Sequence, residues 1–304
     1  MKVIQKKNYL ILLFVVLLAA LPISSVKAPC SRNIAIDVTR LHSYKPSFAT
    51  ATSALAAEGF TVDVWNAGEI TSTRLNGYCV LIIVWPQRAY TDSEVTAILN
   101  FVSSGNGLIF LGDYGKNWDS LSDGYYPEGA TPIIGPLGVS INNDVLYDPT
   151  DYEGIETGWP LIHTFPGVHP VTWGISTFMP AGTATLVVSS PARTIATGDD
   201  DTYIIDPPGP DPMGDAPLLV EGPGGSYEPV LAASVYNRGR AVVAGDHNWI
   251  ADGWDLYNNI PLLINAINWL CPPCDGIPLF SDALWILPAA VLAGVLVIRR
   301  RRYE

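Results

Sequence analysis

The chain has 304 residues and a formal net charge of −12, with 48% hydrophobic and only 15% charged residues. That length suffices for a sizeable core, and the composition is too apolar for disorder. The acidity excludes nucleic acid and anionic lipid as principal partners, because the basic footprint they need is missing.

The N-terminus carries Lys2, Lys6 and Lys7 ahead of an apolar stretch from Tyr9 to Leu21. A basic leader before a short apolar run predicts a secretory signal over residues 1–28, shorter than the ~20 residues of a membrane span. Pro29 directly after Ala28 disfavours cleavage there, so an uncleaved anchor is the other reading.

From Asn33 the pattern alternates strand and helix. Asn33 to Thr39 is a short apolar run suited to a buried strand. Ser47 to Glu58 is Ala-rich and helical in propensity, and Gly59 closes it. Phe60 to Trp65 and Tyr78 to Trp85 read as the second and third strands, the latter apolar on both faces as in a parallel sheet. Thr91 and Glu94 form a capping box that starts a helix to about Ser104. Leu108 to Leu111 is the fourth strand, followed by Gly112-Asp113-Tyr114. Residues 119–229, rich in Gly, Pro, Asp and Tyr, read as an inserted region of loops and short strands. Strands then return over Pro229–Tyr236 and Ala241–Ala244, and a helix over Leu256–Leu270 closes the domain.

This order predicts the α/β fold class: an open, mostly parallel, flavodoxin-like sheet flanked by helices, with a loop and β-rich insertion. At the C-terminus the apolar run Ala283–Ile298 precedes Arg299–Arg302. It predicts a transmembrane helix over 277–298 and a cytoplasmic basic tail over 299–304. The expected localisation is therefore the cell membrane, single-pass, with domain 29–275 outside. Between Pro29 and Pro278 there are nine basic and 27 acidic residues, so that domain carries −18.

Residues Asn33–Leu270 resemble the class I glutamine amidotransferase-like superfamily, closest to its secreted or membrane-anchored archaeal and bacterial members. The resemblance is carried by Ala35-Ile36-Asp37 with His42, Gly59-Phe60-Thr61-Val62, Tyr78 to Ile83 and Thr91-Asp92-Ser93-Glu94. It continues through Gly105-Asn106-Gly107-Leu108, Gly112-Asp113, His169-Pro170-Val171-Thr172 and Gly239 to Asp246. It implies a Cys or Ser nucleophile after the fourth strand and a His base after the last. His247 stands near the base position, but the nucleophile turn reads Leu111-Gly112-Asp113-Tyr114-Gly115. The resemblance thus implies the fold without glutaminase activity.

Ligands of open α/β sheets sit outside the carboxyl ends of the strands. The ligand cleft expected there comprises Asp37, His42, Arg88, Asp113, Tyr114, Asp246, His247 and Asp252. Two functions follow: a ligand-binding or surface-assembly domain with a glycan or surface-protein partner, or an extracellular hydrolase using Asp113, His247 and Asp246, with or without a metal. Backbone capping by Asp113 and Asp246 is the alternative structural role.

Asp148, Asp151 and Glu153 lie in an acidic loop suited to calcium, and Asp199 to Asp201 form a second acidic loop. Neither loop has the EF-hand spacing, and an ordinary solvated loop is the favoured reading of both. Aromatic residues interleave with these acids, as on carbohydrate-binding surfaces and in packed cores alike. Of the four cysteines, Cys30 and Cys79 start neighbouring strands in a 2-1-3 order, which predicts a Cys30–Cys79 disulfide. Cys271 and Cys274 then pair locally, as a structural staple or a thiol-exchange site.

Overall fold

The computed structural model describes residues 31–41, 45–113, 128–154, 157–206, 219–221 and 227–272. Twelve strands occur among them. They are β1 (Asn33–Asp37), β2 (Thr61–Trp65), β3 (Val80–Val84), β4 (Gly107–Leu111), β5 (Val139–Ile141) and β6 (Val145–Tyr147), followed by β7 (Leu186–Val188), β8 (Ala192–Thr197), β9 (Tyr203–Asp206), β10 (Leu219–Glu221), β11 (Pro229–Tyr236) and β12 (Gly239–Ala244). The α-helices are α1 (Ala49–Ala57), α2 (Ser72–Leu75), α3 (Asp92–Ser103), α4 (Thr131–Ile134) and α5 (Asn259–Leu270).

Seven strands form the main sheet in the order β2-β1-β3-β4-β12-β11-β8. The first five run parallel, with Ile34 opposite Val80 and Ala244 opposite Leu111. β11 runs antiparallel to both of its neighbours, β12 and β8. β3 and β4 are buried along their whole length because helices cover both faces, which is why their sequences are continuously apolar. Two smaller sheets, β10-β9-β6 and β5-β7, come from the insertion.

The helix starts have local chemical causes. Thr91 accepts from the Glu94 N–H, and the Glu94 carboxylate accepts from the Thr91 N–H at 2.9 Å, completing the capping box of α3. Glu94 also accepts from the Ile70 N–H at 3.0 Å and from the Arg40 guanidinium. Burial alone would raise its pKa; these donors outweigh burial and lower it. α3 lays Ala97, Ile98, Phe101 and Val102 on the sheet. Each large apolar side chain so buried contributes about 1.5–3 kcal/mol.

The expected fold class is corrected: the structure has a mixed sheet with few helices. The insertion supplies β8, which closes the sheet edge in the antiparallel sense. Among the described residues no helix is long and apolar enough to cross a membrane. The longest, α3 and α5, have 12 residues each, about 18 Å against the ~30 Å of a bilayer core. The expected single-pass membrane localisation is corrected with it. The segment 277–298 on which that expectation rests lies outside the described residues, as do residues 1–28 and 299–304.

The cysteine expectation is also corrected, because Cys79 bonds to Cys271 with their Cα atoms 5.7 Å apart. The two segments meet where β3 begins and α5 ends, beside β4: a Cβ at Gly107 would stand 2.6 Å from Leu270 Cβ. Tertiary packing thus brings together residues 192 positions apart. Cys30 and Cys274, their expected partners, lie outside the described residues.

Candidate functional site

Three strand ends converge on a buried histidine. β4 ends at Leu111, and Asp113 follows after Gly112; β12 ends at Ala244, and Asp246-His247 follow after Gly245. Gly245 is required by close approach, since a Cβ there would collide with the Ala184 carbonyl. The parallel pairing of Ala244 with Leu111 places the two turns side by side. His247 Nδ1 lies 2.9 Å from Asp113 Oδ2. Neither ring nitrogen makes a well-aligned hydrogen bond, so the contact is an ion pair by distance.

Trp85, just after β3, stacks on the imidazole with ring centroids 5.0 Å apart and planes at 16°. Its φ of +34° is a left-handed conformation uncommon for a bulky residue and carries a strain of ~1–3 kcal/mol. The site is closed: His247 and Asp113 are each 2% exposed and Asp246 is 0% exposed.

Asp246 is occupied by the backbone. Its Oδ2 accepts from the Ala181 N–H at 3.0 Å and from the Trp249 N–H at 3.3 Å. Its Oδ1 accepts from the Asn248 backbone and side-chain N–H groups, both at 3.0 Å. Burial raises its pKa against these donors and the nearby His247. For His247 itself, burial disfavours the charge, but the Asp113 carboxylate, joined by Asp246 and a backbone contact with Gly112, outweighs burial and raises its pKa.

The remaining cleft residues have separate duties. Asp37 is 1% exposed and accepts from Tyr90 Oη at 2.5 Å and the Thr39 N–H at 3.2 Å. Burial raises its pKa against those bonds. Arg88 donates to the Thr39 and Leu41 carbonyls at 2.8 and 3.3 Å, pinning the turn after β1. Asp252 caps α1 from a distant loop, accepting from Ser47 Oγ and from the Ala49 and Thr50 N–H groups. Those bonds, led by Ser47, lower its pKa. His42 and Tyr114 lie outside the described residues.

Around this edge two buried donors make no hydrogen bond: Arg40 Nε and Trp85 Nε1. Sequence reasoning did not select these donors. The signal available was their position immediately after β1 and β3.

Two residue groups bring three ligand atoms within 4.8 Å of one another: Asp113, Asp246 and His247, and Asp148, Asp199 and Asp201. The first fits a cation poorly, because Asp246 is spent on N–H donors and His247 on Asp113. The second offers hard oxygen ligands of the kind calcium takes. Here the expected set separates. Asp151 pairs with His163 Nε2 at 2.9 Å, and Glu153 accepts from Tyr257 Oη. Asp148 instead meets Asp199 and Asp201 from the second acidic loop. Its Oδ1 is held by the Thr150 and Asp151 N–H groups at 2.9 and 2.7 Å. Burial, with Asp201 and Asp151 nearby, raises its pKa.

No family model and no curated protein matches the sequence. Solved structures match the fold. The mmIFT52 N-terminal domain aligns with a TM-score of 0.62 at 17% identity, over 79% of this chain and 98% of that one. The cytoplasmic protein STM1381 from Salmonella typhimurium LT2 aligns at 0.52 and 13% identity, over 79% of this chain and 99% of that one. The cytoplasmic protein STM3548 from Salmonella typhimurium aligns at 0.50 and 15% identity, over 78% and 98%. At these identities the likeness concerns the fold alone.

Proposed function

We propose that this chain is a non-hydrolytic binding domain on an amidotransferase-like scaffold, taking a glycan-type ligand at the carboxyl edge of its sheet. The observation that carries the reading is the sealed Asp113–His247 pair beneath Trp85. A nucleophile and base must reach a substrate. Here Asp113 and His247 neutralise each other, and Asp246 holds loop backbone. The turn after β4 has neither Cys nor Ser to attack a carbonyl.

The ligand class follows from the neighbouring donors. Arg40 Nε and Trp85 Nε1 are buried without partners, and such atoms are costly unless something satisfies them. They suit the acceptor oxygens of a sugar.

A hydrolase remains the second reading, favoured by the 2.9 Å carboxylate–imidazole contact and the raised His247 pKa. One experiment separates the two. The full chain is screened on a glycan array, by thermal shift against sugars, and with chromogenic ester and glycoside substrates. The binding reading expects sugar-dependent stabilisation, weakened about tenfold in Trp85→Phe, which removes a single donor, and no turnover. Turnover that disappears in a folded His247→Gln variant would establish the hydrolase. Neither binding nor turnover would remove both readings.

A further inference from the structure

The far side of the sheet carries an arrangement of opposite sign. Arg193 on β8 stands opposite Ala233 of β11, and Arg240 on β12 stands opposite Val235 of β11. Residues 233 and 235 are two apart on one strand, so both arginines rise from the same face. α5 packs on that face: Arg240 donates to the Trp269 carbonyl at 2.6 Å, and its guanidinium lies 5.2 Å from the Trp269 ring centroid.

One turn earlier on α5, Asn265 donates to the Val171 and Trp173 carbonyls at 3.2 and 2.9 Å. It thereby fixes the short 3-10 helix Pro170–Thr172 beside the arginines. The His169 ring also packs edge-on against the Trp269 ring at 4.8 Å, so the turn that leads to Trp173 and the Arg240 guanidinium meet at the same end of α5. His169, the N-cap of this turn, is buried and feels both guanidinium charges.

Among the described residues no carboxylate pairs with Arg193 or Arg240, in contrast to Arg40, which is paired with Glu94. Three apolar side chains are exposed in the same region: Val168 at 91%, Trp173 at 66% and Val235 at 52%. A domain with three acids for every base between residues 29 and 278 therefore keeps two uncompensated arginines beside exposed apolar surface.

We propose that this face docks an acidic segment of another protein, its carboxylates on Arg193 and Arg240 and its apolar side chains on Trp173 and Val235. Charge complementarity selects the occupant. Strand β11 separates the two arginines, which puts their backbones about 10 Å apart across the sheet. One small anion does not bridge that span, whereas an extended chain with alternating acidic and apolar residues does. A second copy of this chain brings its own acidic excess, so overall repulsion opposes it.

The test uses the full chain and a fluorescein-labelled peptide of alternating Glu and Leu, with a Lys-Leu peptide as control, read by fluorescence anisotropy. The Glu peptide is expected to bind, to weaken as salt rises, and to lose about tenfold in affinity with Arg193→Glu. Arg193 is exposed, so this variant keeps the fold, which circular dichroism checks. Trp173→Ala is a second, charge-neutral variant and is expected to weaken binding as well. Equal affinity for the Lys peptide, no binding to the Glu peptide, or unchanged affinity in both variants overturns the proposal. Displacement of the peptide by an equal concentration of inorganic phosphate also overturns it, by making the face a site for small anions.

Discussion

Two histidines are buried to the same degree, 2% exposed each, and sit in opposite electrostatic surroundings. His247 lies between Asp113 and Asp246 at the carboxyl edge of the sheet, and its pKa is raised. His169 lies near Arg193 and Arg240 on the α5 face, and its pKa is lowered to about 4, by burial first and then by the two arginines. Burial pushes both rings toward neutrality. At the carboxyl edge a carboxylate in contact reverses that push; on the α5 face the guanidinium groups reinforce it. The acidic edge pairs its histidine with a carboxylate, while on the basic face no carboxylate among the described residues pairs with Arg193 or Arg240.

Asp113→Ala breaks this contrast most severely. It leaves a buried imidazole without its carboxylate, and stability is expected to fall by about 3–5 kcal/mol. Urea unfolding checks the value, and a fall below about 1 kcal/mol would mean that the pair is dispensable to the fold. Asp246→Ala orphans the N–H groups of Ala181, Asn248 and Trp249. The expected loss is about 1–3 kcal/mol, with the 181 and 248 loops gaining hydrogen exchange first.

Acid and base should separate the two histidines. The unfolded chain binds a proton to His169 near pH 6.5, whereas the folded chain resists until about pH 4. Its contribution to stability therefore falls as pH drops from 6.5 to 4 and levels off below that. His247 behaves in the reverse sense. Its contribution is fully present below pH 6.5 and declines as pH rises through its raised folded value. Melting temperature against pH in His169→Gln should lose part of the acid decline, and His247→Gln part of the decline above neutrality. Identical profiles in both variants would refute the opposition. The smallest effect belongs to Arg193→Ala. An exposed arginine with no carboxylate partner should change stability by no more than about 0.5 kcal/mol, while changing any binding at that face.

Legibility in the sequence followed the range of the interaction. The Thr91–Glu94 capping box was readable because its partners are three residues apart. β3 and β4 were readable because strands buried on both faces require unbroken apolar runs. The approach of Asp113 to His247 was accessible from the placement of polar residues just after strands. Their closure under Trp85 was not, because stacking depends on the turn after β3. Asp252 as the cap of α1 was equally hidden, with its partners some 200 positions away.

The amino-acid order by itself determined the apolar strands, the helix start at Thr91 and the lack of a Cys or Ser after β4, since each depends on neighbouring residue types. Only the tertiary structure decided which cysteines pair, where the Asp148 carboxylate finds company, and that β8 carries Arg193 into the same face as Arg240. These outcomes depend on strand register and on which chain ends meet. A shift of one residue in register would turn Arg193 to the opposite face, and no local pattern in the chain records that choice.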